Sequence, residues 1–593
     1  MPETPETILS VLERTAGKHG DRPAMRVKDG GQWRVTTWKE YRDQAWLAAR
    51  GFIRLGLAPG QGVAIMGFNR PEWFLADIGA IAAGGIPAGI YTTSTVEQCQ
   101  YIAHHAEAAV AVVENAQYLE VFQQIRDRLP HLKAIVLMTG PGAAEDGVYT
   151  WQQLLEQGAQ VPKEELRRRI DAQKPEDLCT LIYTSGTTGP PKAVMLSHHN
   201  VTWTARRVVD AYSVNAHDDL ISYLPLSHIA EQVVSLHSPM AEGGCSWFAE
   251  SIEKLGENLR EVRPHFFFAV PRVWEKMQAA IQAAGAQNTG LKKKIATWAR
   301  GVGLAAGRAE QEGRPKPIFY PVAQQLVFSK VRAKLGLDRA RVCSTSTAPI
   351  SVETLELFSS LGIPVLEVYG MSECTGPSTF SLPDSYHFGK VGRAIEGTEL
   401  ATAEDGEVLM RGPHVFLGYF KNEEATRETV DDAGWLHSGD IGEIDAEGFL
   451  RITDRKKELI ITSGGKNIAP AIIESKLRQI PAVSQAVVIG DRRHYLVALV
   501  TLDPARAADQ AKAAGSPAAT PEALATCPVF RPYLEKQIEG VNTTLARYEQ
   551  IKKFVILPRE LSIDEGELTP TMKLKRRVVN QKFAEEIEGL YGG

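Results

Sequence analysis

Paired cysteines, long hydrophobic runs and an excess of charge of one sign are all scarce in this chain of 593 residues. Its six cysteines (Cys99, Cys179, Cys245, Cys343, Cys374 and Cys527) are scattered, and no two stand in a C-x-x-C pair. That argues against a zinc site or a disulfide framework and fits a reducing, cytoplasmic setting. Lysine and arginine (66) nearly balance aspartate and glutamate (71), leaving a net charge of -5 with the signs well mixed. A nucleic-acid-binding protein normally carries a basic excess, so that class is set aside. The most continuous apolar stretch, Ile78 to Ile90, is interrupted by Gly79, Gly84, Gly85, Pro87 and Gly89. It is too short to cross a bilayer and reads as a buried helix, loop and strand. The N-terminal MPETPETILS is acidic and lacks the basic and apolar regions of a signal peptide. Peripheral membrane contact and oligomeric state are left open by these features.

What is present is an ordinary globular composition, 44% hydrophobic and 23% charged, in a chain too long for one core. Thr7 to Gly17 has helical spacing, Gln32 to Trp38 alternates like a strand, and Lys39 to Leu55 is helical again. Gly62 to Phe68, Ala108 to Val113 and Leu178 to Thr184 read as short buried strands, with a helix opened by proline from Pro71 to Ala83. This alternation predicts layered α/β architecture with a largely parallel sheet. From Pro264 to Leu337 the chain is helix-rich, and its basic triplet Lys292 to Lys294 reads as a solvated helix face. Short strands with tight turns follow from Gly406, including the turn Asp445-Ala446-Glu447-Gly448. After the charged run Asp454 to Glu458 the pattern restarts as strand, helix, strand, strand. The expected division is therefore 1–454 for a large N-terminal domain and 455–593 for a small α+β domain.

The densest chemistry lies in Tyr183-Thr184-Ser185-Gly186-Thr187-Thr188-Gly189-Pro190-Pro191-Lys192. Two glycines let the backbone turn N–H groups toward an anion, four hydroxyls add donors, and Lys192 supplies a full charge. The Walker A spacing G-x-x-x-x-G-K-[ST] is not met: Lys192 follows Pro191, and Ala193 stands where a magnesium-binding hydroxyl is required. The loop is a polyphosphate cradle of another kind.

YTSGTTGPPKAVMLSHHN resembles the phosphate-loop signature of adenylate-forming enzymes, the superfamily of acyl-CoA synthetases, firefly-type luciferases and peptide-synthetase adenylation domains. Further motifs follow in the family's order. Tyr369-Gly370-Met371-Ser372-Glu373 is similar to the adenine motif, which implies Tyr369 against the adenine ring and Glu373, with Thr184, on Mg²⁺. Gly434 to Asp440 is similar to the ribose motif and implies Asp440 on the ribose hydroxyls, joined by Arg455. Leu224 to His228 is similar to the family segment that implies His228 beside the reacting carboxylate, and Leu568 to Lys573 resembles the C-terminal motif that implies Lys573 as the lysine that assists adenylation. The resemblance also implies that the small domain swings about Lys457 between two half-reactions. Gly464 would then face the pantetheine of coenzyme A.

Pro71 to Ser94 and Arg263 to Met277 look like the bubblegum-type long-chain acyl-CoA synthetases, which implies fatty acid, ATP and coenzyme A as substrates. Phe266, Phe267, Phe268 and Val270 are equally candidates for an acyl tunnel wall and for core packing. The sequence departs from the family's pattern at Gln232, where some long-chain relatives carry a gating tryptophan. It departs again at Ser346 and Thr347, in place of paired glycines, and at Met572, in place of the glycine before the lysine. Other readings stand beside this one. They are transfer to a carrier-protein thiol, for which no carrier domain is visible, a medium-chain or aryl acid as substrate, and a non-catalytic acyl- or nucleotide-binding protein.

Overall fold

The computed structural model describes residues 5–141, 146–184, 190–463, 466–569 and 572–592. Two large sheets organise the N-terminal part. One runs, edge to edge, through Gly418–Tyr419, Lys192–Ser197, Leu178–Thr184, Ile86–Ile90, Gly62–Met66, Ala108–Val113, Ala134–Leu137 and Val148–Thr150. Its middle strands are parallel and wholly buried, which is why they read as continuous apolar runs. The second carries Pro23–Asp29, Asp219–Ser222, Phe266–Ala269, Val342–Thr345 and Val365–Met371 among its nine strands. The helix Pro71–Ala82, apolar on nearly every side, is buried between neighbours in the main core.

Local signals set the element boundaries. Thr37 and Glu40 form a reciprocal capping box that opens the helix Trp38–Arg54. Ser197 and Asn200 do the same where the strand Lys192–Ser197 turns into the helix His198–Tyr212. Phe266–Ala269 is a core strand: Phe267 packs edge-on against Trp274, and Phe266 lies against Tyr212. Of the two readings of this segment, core packing is the one these contacts describe.

A four-stranded antiparallel sheet (Glu399–Thr402, Glu407–Arg411, Leu436–Ile444, Leu450–Arg455) closes the N-terminal part. From Ile460 onward the chain builds separate cores around the sheet Val483–Ile489, Leu496–Leu502 and Ile551–Ile556. The large α/β portion and the small α+β portion thus have the expected class. The six cysteines are buried free thiols. No described helix is long and apolar enough to cross a membrane.

Candidate active site

Two paired strands flank the stretch expected to cradle phosphate. Leu178–Thr184 and Lys192–Ser197 pair antiparallel, with Thr184 opposite Lys192. Ser185, Gly186, Thr187, Thr188 and Gly189 lie outside the described residues. At the hairpin's base the Thr184 hydroxyl donates to the Lys192 carbonyl (3.3 Å), and the Lys192 ammonium stands 4.6 Å from the centre of the Tyr419 ring.

Tyr419 connects this hairpin to the next motif. Its hydroxyl donates to Oε1 of the buried Glu373 at 2.6 Å, while its backbone pairs with Val194. The Asn200 amide, besides capping its helix, donates to the carbonyls of Pro413 and Val415. The next residue, Phe416, donates its N–H to the Glu373 carbonyl. Lys192, Tyr419 and Glu373 are therefore held in one hydrogen-bonded and cation–π chain. No spacing in the sequence singles out Tyr419, because it lies 46 residues from Glu373 on a strand of two residues.

Tyr369, Gly370 and Met371 are the last residues of the strand Val365–Met371. It pairs with Gly376–Phe380 through an irregularity at Tyr369/Gly370. The approach there is so close that a Cβ on Gly370 would meet the Gly376 carbonyl at 1.8 Å. Ser372, Glu373 and Cys374 form a single 3₁₀ turn after this strand. The Tyr369 hydroxyl donates to Asp440 Oδ2 (2.7 Å), and Arg455 Nε donates to Oδ1 of the same carboxylate (3.1 Å). Asp440 and Arg455 face each other on paired strands. Asp440 is thus fixed by two donors, and its remaining lone pairs can accept others. Nearby, the buried hydroxyls of Ser344 and Thr345 find no hydrogen-bond partner among the described residues.

His228 caps the short helix Ile229–Glu231, its Nδ1 accepting the Ala230 N–H at 3.1 Å. Burial first, and the Lys573 charge second, push its pKa down to about 4. The ring is therefore neutral near pH 7, and with Nδ1 an acceptor its proton resides on Nε2. The loop before it lies tight on the strand Ile86–Ile90: a Cβ on Gly89 would come within 2.8 Å of Ser227 Cα. Gln232, at the position of the gating tryptophan, is buried and donates to the Leu226 carbonyl. It opens a π-helical stretch, Gln232–His237.

Lys573 reaches this site from the C-terminal part. Its side chain is exposed and stands among charged neighbours. Its pKa is held below the ordinary lysine value by desolvation first and by Arg455 next, against the pull of Asp440, Glu373 and Glu458. Its loop is clasped at the base: Lys573 N–H donates to the Thr569 hydroxyl, and Thr569 N–H to the Lys573 carbonyl. Met572 takes a left-handed φ of 62°, and Thr347 one of 75°. Two of the positions that depart from family glycines thus adopt glycine-like backbone. Lys457 lies exposed in the turn just after the strand that ends at Arg455. Gly464 lies outside the described residues.

Hydrogen bonds and a cation–π contact link Thr184, Lys192, Tyr419 and Glu373, and hydrogen bonds likewise link Tyr369, Asp440 and Arg455. The charge of Lys573 acts on His228 and is itself acted on by Arg455, Asp440 and Glu373. Among these groups are a neutral imidazole, an ammonium and a set of carboxylates. Such a site can bind polyphosphate at the hairpin and draw a second anion toward it.

Residues 12–420 match the family described as AMP-binding enzyme, and residues 457–593 match the AMP-binding enzyme C-terminal domain. The Xenopus laevis long-chain-fatty-acid–CoA ligase ACSBG2 is 44% identical, over 99% of this chain and 84% of its own length. The Homo sapiens ACSBG2 ligase is 38% identical (99% and 93%), and the Bos taurus ACSBG1 ligase 39% identical (99% and 85%). Among solved structures, the adenylation domain of a carboxylic acid reductase from Segniliparus rugosus superposes with a TM-score of 0.76 at 19% identity. It covers 100% of this chain and 95% of that one, and shares the fold. With the family matched across both parts of its length, the chain belongs to the AMP-binding enzymes.

Proposed function

We propose that the protein is an AMP-forming long-chain fatty acid–CoA ligase, converting fatty acid, ATP and coenzyme A to acyl-CoA, AMP and diphosphate through an acyl-adenylate. The observation that carries this reading is Lys573, whose ammonium interacts electrostatically with Arg455, Asp440 and Glu373, within a chain about 40% identical over 99% of its length to ligases of that name.

In the first half-reaction the fatty carboxylate attacks the α-phosphate and diphosphate leaves. Two anions must meet, and the Lys573 ammonium lowers their repulsion and stabilises charge that grows in the transition state. Neutral His228, with its Nε2 proton, offers a hydrogen bond to the carboxylate without a charge that would compete with Lys573. Asp440 and Arg455 are assigned to the ribose, Tyr369 to the adenine ring, and Thr184 to Lys192 to the phosphates.

Glu373 and Thr184 suit Mg²⁺, which takes one or two protein oxygens and fills its remaining positions with phosphate oxygens and water. Among the described residues no group of three or more His, Cys, Asp and Glu gathers to hold a metal by protein alone. Bound there, the ion would neutralise charge on the departing diphosphate. In the second half-reaction Lys573 withdraws as the part beyond Lys457 turns, and the coenzyme A thiol attacks the acyl-adenylate. The pivot is assigned to Lys457, two residues beyond the end of the strand Leu450–Arg455.

The deciding experiment supplies ATP, Mg²⁺ and coenzyme A with fatty acids of increasing chain length and follows AMP and free thiol. Equal release of AMP and loss of thiol, strongest with long chains, is expected. AMP without thiol loss would move the acceptor to a carrier protein, and release of ADP would overturn adenylation.

A further inference from the structure

The helical stretch between the strands Phe266–Ala269 and Val342–Thr345 carries a surface that the catalytic reading does not use. Its longest helix, Gly290–Gln311, packs beside the helical run formed by Tyr320–Ala323, Gln324–Phe328 and Ser329–Leu335. Their facing sides make a small core of Ala299, Ala323 and Phe328, with Val302, Tyr320 and Val327 against it. The long helix is also pressed onto the body of the protein: a Cβ on Gly303 would meet the Ser360 carbonyl at 2.3 Å. Its inner side is thereby settled, and what faces outward does so from a firm base.

The outward side is unusually apolar. Ile318 is 86% exposed, Leu291 72% and Phe319 59%. Phe319, Val322 and Leu326 recur at i, i+3 and i+7, one stripe of a helix, and Lys330 continues the same stripe one turn on. Solvated helix faces do not carry such a row, whereas interaction sites do.

Charge says what would cover it. Residues 290–336 hold ten lysines and arginines against two glutamates, a surplus of eight in a chain whose total is -5. Lys292, Lys293 and Lys294 stand directly beside Leu291, all exposed, and Lys316 lies 4.8 Å from the centre of the Tyr320 ring beside Ile318. Exposed apolar side chains among clustered lysines match a bilayer that is apolar beneath and anionic at its surface. A nucleic acid would match the lysines but leave Ile318, Phe319 and Leu326 facing water.

We propose that this helical face docks the protein peripherally on anionic lipid bilayers, with Ile318, Phe319 and Leu326 entering the interface and Lys292 to Lys294 pairing with headgroups. The proposal does not rest on the reading of the catalytic cleft, and it is tested without activity.

The full-length protein is sedimented with vesicles of phosphatidylcholine alone and of phosphatidylcholine with about one third phosphatidylglycerol. It is expected to pellet with the anionic vesicles at low salt and to be largely released at high salt. Two variants are compared, Phe319→Ser with Leu326→Ser, and Lys292→Glu with Lys293→Glu and Lys294→Glu. Each should weaken vesicle binding by about tenfold or more, with the melting temperature unchanged because all these side chains are exposed. Failure to bind anionic vesicles, or equal binding by wild type and both variants, overturns the proposal. So does a wild-type dimer that the Phe319→Ser, Leu326→Ser variant splits while vesicle binding is unaffected, because the face would then join two copies. Binding to single-stranded DNA that needs the lysines but not Phe319, without vesicle binding, overturns it as well.

Discussion

At Lys573 the assigned role is that of one mobile charge among fixed ones. Lys573→Ala is expected to lower the adenylation rate by on the order of 10²- to 10³-fold, the scale of losing a transition-state donor. Thiolysis of a supplied acyl-adenylate should be nearly unchanged, since the lysine has left by then. The group works protonated, and its pKa lies below the ordinary lysine value through desolvation and Arg455. As pH rises it therefore loses its proton earlier than a solvated lysine, and the alkaline limb of adenylation should fall below the usual lysine range. A guanidinium stays charged throughout, so Lys573→Arg should be slower at neutral pH but lack that limb. An identical limb in the arginine variant would assign it to another group. A second residue-scale feature is Thr347, a β-branched side chain held at φ 75°. Thr347→Gly removes left-handed strain of about 1–2 kcal/mol and restores chain entropy to the unfolded state, a cost of about 0.4–1 kcal/mol. A net gain of up to about 1.6 kcal/mol, read from thermal melts, is expected. A drop in melting temperature would mean that the threonine side chain makes contacts worth more than the strain.

Between elements, the buried Glu231 ties together what presents His228. Its Oε1 accepts from the hydroxyls of Ser222 and Ser235 (2.7 Å each), from the Tyr223 N–H and from the Asn69 amide. These donors join the strand Asp219–Ser222, the loop before the helix Pro71–Ala82 and the π-helical stretch after His228. Burial raises the Glu231 carboxyl from 4.5 to about 8. Between those values the folded protein keeps a proton that the unfolded chain has lost, so stability declines as pH climbs from about 4.5 through about 8. Glu231→Gln keeps a carbonyl acceptor and removes the titration. Melting curves across this range should therefore be flatter for the variant, with a divergence on the order of a few kcal/mol at the alkaline end. Parallel curves would mean that Glu231 is ionised in the fold. This scale also separates what could be read in advance from what could not. The strands Ala108–Val113 and Leu178–Thr184 fall on the residues where apolar runs placed them, because strands buried on both faces have no choice of composition. The end of the strand Val365–Met371 carries no such signal, because Gly370 and the polar residues after it break the apolar pattern. Antiparallel pairing with Gly376–Phe380 overrides that local preference. Tyr419 was illegible for a related reason, since its meaning comes from the lysine across the sheet and a glutamate far along the chain.

In the whole molecule the small C-terminal part rests on the large one through polar contacts. Gln479 donates to Glu353 at 3.0 Å, and Arg272 lies 3.4 Å from the Ser484 hydroxyl. Exposed polar contacts of this kind separate at little cost, as interfaces between moving domains must. The charged run Asp454 to Glu458 signalled a boundary in the sequence, and the turn holding Lys457 lies there between independent cores. Which arrangement the two parts adopt was not legible, because both use the same residues. Arg576 shows how the near side of the turn is held: it donates to Glu474 (2.8 Å) and approaches Glu458 (3.9 Å). A rotation at Lys457 can therefore carry the small part as a unit, with Arg576 and Glu474 moving together. Lys457→Pro fixes φ at the turn without touching either set of substrates. It is expected to leave the rate of diphosphate release from fatty acid and ATP within about twofold. Single-turnover thiolysis should slow by on the order of 100-fold, the cost of a thiol that cannot reach its line of attack. The exposed side chain has no substrate contact assigned to it, so Lys457→Ala should slow neither step. Equal loss of both half-reactions in Lys457→Pro, or thiolysis as fast as wild type, would remove Lys457 as the pivot and leave the swing to another turn.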